Sequence, residues 1–164
     1  ISGPIVLVAH SYGGFVATNA ATGNDNVKAL VYIDAFAPDQ GETAGELVTR
    51  GGSCVGSAFN VVPYDGGMDL YLPWDASASY PGFTECFANG VDRRTTALLA
   101  ATQRPAHSNQ LSQASGPPAW KTIPSWSLRV AQAGGATTGW RWTPGMGSRR
   151  RSRPSPPRMR RRRR

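Results

Sequence analysis

One short stretch restricts the folds open to this chain more than any other. The apolar run Pro4-Ile5-Val6-Leu7-Val8-Ala9 passes through His10-Ser11-Tyr12 directly into Gly13-Gly14-Phe15-Val16-Ala17. The run is short, continuous and rich in β-branched residues, which predicts a strand buried on both faces of a parallel sheet. The helical stretch that follows stops at Thr22-Gly23-Asn24, where glycine can supply a left-handed end. A second apolar strand is predicted over Val27 to Ile33, closing at Asp34-Ala35-Phe36-Ala37-Pro38-Asp39. Strand, helix and strand with short joins make a βαβ unit, hence an α/β fold with a mostly parallel sheet.

The join carries the candidate chemistry. A serine on a sharp strand-to-helix turn projects its hydroxyl above the sheet, and small residues two before and two after it let strand and helix approach closely. Ala9 and Gly13 meet that need for Ser11, with Ala9 standing where glycine is more usual, and His10 and Gly14 complete the turn. The start of a helix also presents unpaired N–H groups and the positive end of its dipole, so the Tyr12 N–H is a natural oxyanion donor. The competing reading is a plain helix cap, since serine before a helix is common. A small-His-Ser-x-Gly-Gly string after an apolar strand is rarer than a capping serine, which favours Ser11 as a nucleophile. His10 is too near in sequence to act as the base of its neighbour and is expected to pack under the turn.

From Gly41 to about Pro118 the pattern changes to short helical stretches, Glu42 to Arg50, Phe83 to Ala88 and Val91 to Gln103, the last with Ala97, Leu98 and Ala101 at helical spacing. Pro63-Tyr64-Asp65-Gly66-Gly67 and Tyr80-Pro81-Gly82 read as loops or turns. So long an insertion between sheet strands predicts a cap over a pocket, its aromatics, such as Phe59, Tyr64, Tyr71, Trp74, Tyr80 and Phe83, serving packing more than substrate contact. Cys54 and Cys86 have no zinc spacing and are too few for a disulfide scaffold. They read as ordinary buried or cap cysteines, with a single disulfide as the alternative. Lys121 to Leu128 resembles the entry to a third strand.

The net charge of +8 belongs to one segment. Residues 1–128 carry six Lys/Arg against ten acids, whereas residues 129–164 carry twelve Arg and no acid. That segment lacks a sustained apolar face and is expected to be disordered. Its clustered Arg149 to Arg164 could bind nucleic acid without sequence preference. Its composition of Arg, Pro, Gly and Ala, with neither acids nor period, instead favours a shifted reading frame over a selected arm. Nothing in the chain has the roughly 20 consecutive apolar residues that a membrane span needs, and the compartment defaults to the cytoplasm.

Three stretches, GPIVLVAHSYGG, VKALVYIDAFAPDQGE and GPPAWKTIPSW, resemble the bacterial α/β-hydrolases related to small esterases and to the plant methylesterase and hydroxynitrile lyase group. With the spacer between them they cover residues 1 to about 128. The resemblance implies a partial three-layer α/β-hydrolase fold, with Ser11 as nucleophile, the Tyr12 N–H in the oxyanion hole and residues 41–118 as cap. It also implies an ester-like small-molecule substrate and no metal or organic cofactor. Such enzymes carry earlier strands, one of whose loops gives the second oxyanion donor, and this segment starts at Ile1. The family's acid and histidine have no counterpart in residues 129–164, which hold no Asp, Glu or His. Asp34, at the end of the second strand, is placed where some relatives of the fold keep their acid, and His107 is the other imidazole. Each has a plainer reading, Asp34 as a loop-stabilising residue and His107 as a solvated cap residue. The chain is therefore expected to be weakly active or inactive as it stands.

Overall fold

A computed structural model describes residues 1–75, 82–132 and 138–144. Its frame is a four-stranded sheet in the order β1-β2-β6-β7. Strand β1 spans Ile5–Ser11, helix α1 Gly13–Ala20 and strand β2 Val27–Ala35. β1 and β2 run parallel, as the βαβ pattern predicts, and β2 pairs in parallel with β6, Ser125–Gln132, with Leu30 opposite Ser125 and Ile33 opposite Leu128. β6 runs four residues past Leu128 and pairs antiparallel with β7, Thr138–Pro144. The pairing of β6 with β7 falls within the segment expected to be disordered, most of which lies outside the described residues. The arginine cluster of 149–164 lies outside the described residues.

The sheet core is small. Ala21, Val27, Leu30, Tyr32 and Ala119 are buried together, with Ile5, Leu7, Trp120 and Ile123 packed around them. Burying Tyr32 strands a phenol unless it finds a partner, and the Thr18 hydroxyl, 2.8 Å away, provides one. Burial still raises the Tyr32 pKa above its ordinary value, with the Thr18 hydrogen bond opposing the shift. β1 departs from the expectation of two buried faces. Ile5, Leu7 and Ala9 turn inward, while Val6 and Val8 are 58% and 63% exposed and His10 points the same way. His10 therefore does not pack under the turn: strand alternation sends it to the open face because Ala9 takes the inner one.

Residues 41–118, expected to form a cap, carry a sheet and a buried cluster separate from those of the main sheet. Helices α2, Ala44–Arg50, and α3, Val55–Ala58, lead into an antiparallel sheet of β3, Asn60–Tyr64, β4, Gly67–Tyr71, and β5, Ala106–His107. Helices α4, Phe83–Cys86, α5, Arg93–Thr102, and α6, Asn109–Ser112, complete it. A 3₁₀ turn, Ala119–Lys121, then leads to β6. Ala58, Leu72, Phe83, Ala88 and Ala100 pack together, flanked by Val55, Phe59 and Trp74. The small sheet was not expected. Its β3 is exposed along its whole length, so no alternation announced it, although Asp65-Gly66 at the turn, with Gly66 at φ 89°, is the residue pair a tight hairpin favours. On α5 the inward face carries Thr96 and Ala100, and Leu98 is 64% exposed. Cys54 and Cys86 form a disulfide that ties the start of α3 to the end of α4. The reading of two ordinary thiols is thereby corrected: a cap with so few large buried side chains gains from a covalent tie.

Candidate active site

Ser11 is the last residue of β1 and adopts φ 52°, a left-handed conformation rare for any residue but glycine. Holding a non-glycine residue there costs on the order of 1–3 kcal/mol, and such strain tends to collect where function needs a side chain aimed. The chain then enters α1 with Tyr12 as its N-cap, in helical conformation and without a side-chain cap. Ser11 is thus not the helix cap, which removes the plain structural reading of this serine. Its hydroxyl makes no hydrogen bond among the described residues.

Two contacts hold the elbow. The Phe36 N–H donates to the Ser11 carbonyl at 3.1 Å, and the Tyr12 carbonyl accepts from Phe15 at 2.9 Å and Val16 at 3.2 Å. Close packing of α1 on the exit of β2 falls on Gly14: a Cβ there would lie 2.2 Å from the Phe36 carbonyl oxygen and 2.8 Å from the Ala35 Cβ. Gly13, expected to be the tight position, has only the Ala9 Cβ at 3.9 Å from a Cβ built on it. The distinction could not be read from the sequence because it depends on where β2 leaves the sheet.

Asp34 also has a positive φ, 39°, and marks an irregularity in the β1–β2 pairing: His10 lies opposite Ile33, but Ser11 lies opposite Ala35. Asp34 is the extra residue, so the two strained residues sit at the carboxyl ends of neighbouring strands. Asp34 is exposed and is not among the residues lining the cavity at Ser11. His107 is in β5, with its Nδ1 accepting from the Asn109 N–H at 3.1 Å and its ring edge-on to Tyr64 at 6.2 Å. Its neighbour Ala106 lines the cavity; His107, one residue on in the strand, does not. Neither candidate, Asp34 or His107, is thus among the described residues that line the cavity with Ser11 and Tyr12.

That cavity, of about 410 Å³, lies between the elbow and the cap. Its apolar wall draws on Phe36 after β2, on Val55 and Phe59 around α3, on Leu72 after β4, and on Phe83 and Phe87 around α4. A small apolar group reaching Ser11 would thus be held by side chains from both layers. Among the described residues no group of three or more His, Cys, Asp or Glu is placed to hold a metal ion, and no helix is long and apolar enough to cross a membrane.

A carbendazim hydrolyzing esterase from Nocardioides sp. (strain SG-4G) is 40% identical over 47 residues, 28% of this chain and 19% of that protein, so the match spans under a fifth of the relative's length. The sequence pattern of the alpha/beta hydrolase family matches residues 1–162, continuing past Leu128 into the arginine-rich segment. Together with a parallel sheet and its flanking helices, this places the chain in the alpha/beta hydrolase family.

Proposed function

We propose that this chain carries the nucleophile and the substrate pocket of a serine esterase. The observation that supports it is Ser11 in a left-handed turn at the end of β1, lining an apolar cavity with no competing hydrogen bond on its hydroxyl among the described residues. In this reading the Ser11 Oγ attacks the acyl carbon of an ester seated in the cavity. The carbonyl oxygen gains negative charge and is met by the Tyr12 N–H and the positive end of α1. The ester C–O bond then breaks and the leaving alkoxide departs as the alcohol with the proton lost by Ser11; water hydrolyses the acyl-serine, releasing the carboxylic acid and restoring the hydroxyl.

The same geometry sets the expected rate. A serine hydroxyl is a poor nucleophile until a base takes its proton, and the chain's two histidines stand on the open face of β1 and on the cap sheet. Oxyanion stabilisation and binding alone leave a small part of the rate of a complete triad. The chain by itself should therefore react slowly and stoichiometrically with an activated reagent. Incubation with a fluorophosphonate, followed by peptide mapping, tests this: the adduct is expected on Ser11 and absent from Ser11→Ala. Labelling of another serine in preference to Ser11, or equal labelling of the variant, would overturn the proposal.

A further inference from the structure

The cavity wall contains one charged side chain among the described residues, Arg104. No acid or lysine among those residues lines the cavity, and neither ion pair found among them, Arg50 with Glu42 and Lys121 with Asp39, involves Arg104. Arg104 is exposed and borders a largely apolar space.

The segment that presents it is fixed. Gln103, just before it, ends α5 and clasps the backbone of Leu72: the Leu72 N–H donates to Oε1 at 2.9 Å, and Nε2 donates to the Leu72 carbonyl at 2.7 Å. Nε2 also donates to the Ala100 carbonyl at 3.0 Å. Gln103 is thereby spent on structure, although it too borders the cavity, and what remains for a ligand on this side is the Arg104 cation. On the far side of Arg104, Ala106 enters β5 and pairs with Leu70. Both flanks of the arginine are tied to the same strand region, so the backbone that carries it is anchored beside the cavity.

We infer that the pocket selects ligands with an apolar body and a carboxylate at the end away from the ester, the carboxylate pairing with Arg104 while the body fills the space between Phe59, Leu72 and Phe83. This specificity rests on the proposed esterase reading for its catalytic meaning, but the pairing is a binding property and stands apart from the chemistry at Ser11. An anion beside a guanidinium gains modestly in water and more where apolar walls exclude part of the solvent. A neutral ligand of the same length would gain from the walls alone.

The test compares octanoate with octanol by calorimetry on the full chain, in Ser11→Ala to exclude turnover. Octanoate is expected to bind about three- to fivefold more tightly than octanol at low salt, with the difference lost at about 0.5 M NaCl, where screening shortens the reach of the charge. Arg104→Gln should erase the preference without weakening octanol, and Arg104→Lys should restore part of it. Equal binding of the two ligands at low salt, or an octanoate preference that survives Arg104→Gln, overturns the inference; the latter outcome would put the carboxylate at the elbow instead. Should the Arg104 variants fail to fold, the salt series with Arg104 in place still decides, since an octanoate preference that persists at high salt overturns the pairing. Absence of fluorophosphonate labelling at Ser11 would sink the esterase reading and leave these binding results standing.

Discussion

Gly14 shows how much one missing methyl group can matter at the elbow. With the Phe36 carbonyl oxygen 2.2 Å from the position of a Cβ and the Ala35 Cβ at 2.8 Å, an alanine fits only if α1 or the exit of β2 moves. Both obstacles belong to the backbone or lie next to it, so neither can swing aside as a long side chain would. Gly14→Ala is expected to cost about 1–3 kcal/mol or more by overpacking, and to disturb Ser11, whose carbonyl accepts from the Phe36 N–H. Gly13→Ala provides the contrast. Its nearest obstacle is at 3.9 Å, and alanine favours a helix over glycine by about 1 kcal/mol. Thermal melts of the two variants should therefore diverge, Gly14→Ala falling well below the parent and Gly13→Ala staying level or rising. A Gly14→Ala melt equal to that of the parent would mean that α1 does not pack on β2 as described.

At the scale of elements, the cap depends on its disulfide more than the sheet depends on anything comparable. α3 and α4 are four residues each, too short to hold their shape alone, and Cys54 and Cys86 join them across 32 positions. A loop of that length closed in the unfolded chain corresponds to roughly 3–4 kcal/mol in the chain-entropy treatment. Cys86→Ser should lower cap stability by an amount of that order, seen as faster amide exchange in α4 and α5, while β1 and β2 keep their protection. Uniform loss of protection across both layers would instead mean that cap and sheet unfold as one. α2 and α5 lie within stretches whose helical pattern is local: Thr43 and Glu46 form a capping box at α2, and Asp92 caps α5 by accepting from the Thr95 N–H at 3.0 Å. The βαβ unit and the elbow were legible for the same reason, because apolar runs and glycines encode them locally. The cap sheet, the disulfide and the inward face of α5 were not, since each depends on partners distant in sequence. The same limit hid the position of His107: nothing in Arg104-Pro105-Ala106-His107 shows which face of β5 turns toward Ser11.

For the molecule as a whole, the open side of β1 governs behaviour in solution. β1 is an outer strand of the sheet, and Val6 and Val8 project from its uncovered face among the described residues. An edge with free backbone groups beside exposed valines is a template for pairing with another chain. The arginines of residues 129–164 pull in the other direction: twelve cations and no acid repel copies of one another, and a body of residues 1–128 with four more acids than bases could attract them. Salt separates the two effects. Association through β1 buries apolar surface and should persist or grow as salt rises, whereas association of the basic segment with the acidic body should fade within the same range. Val8→Lys places a charge on the exposed face without touching Ile5, Leu7 or Ala9, which point inward. We expect concentration-dependent light scattering of the parent chain at high salt and a marked reduction in Val8→Lys, with near-identical far-ultraviolet circular dichroism. Scattering that disappears with salt and is indifferent to Val8→Lys would assign the association to charge and clear the strand edge of responsibility.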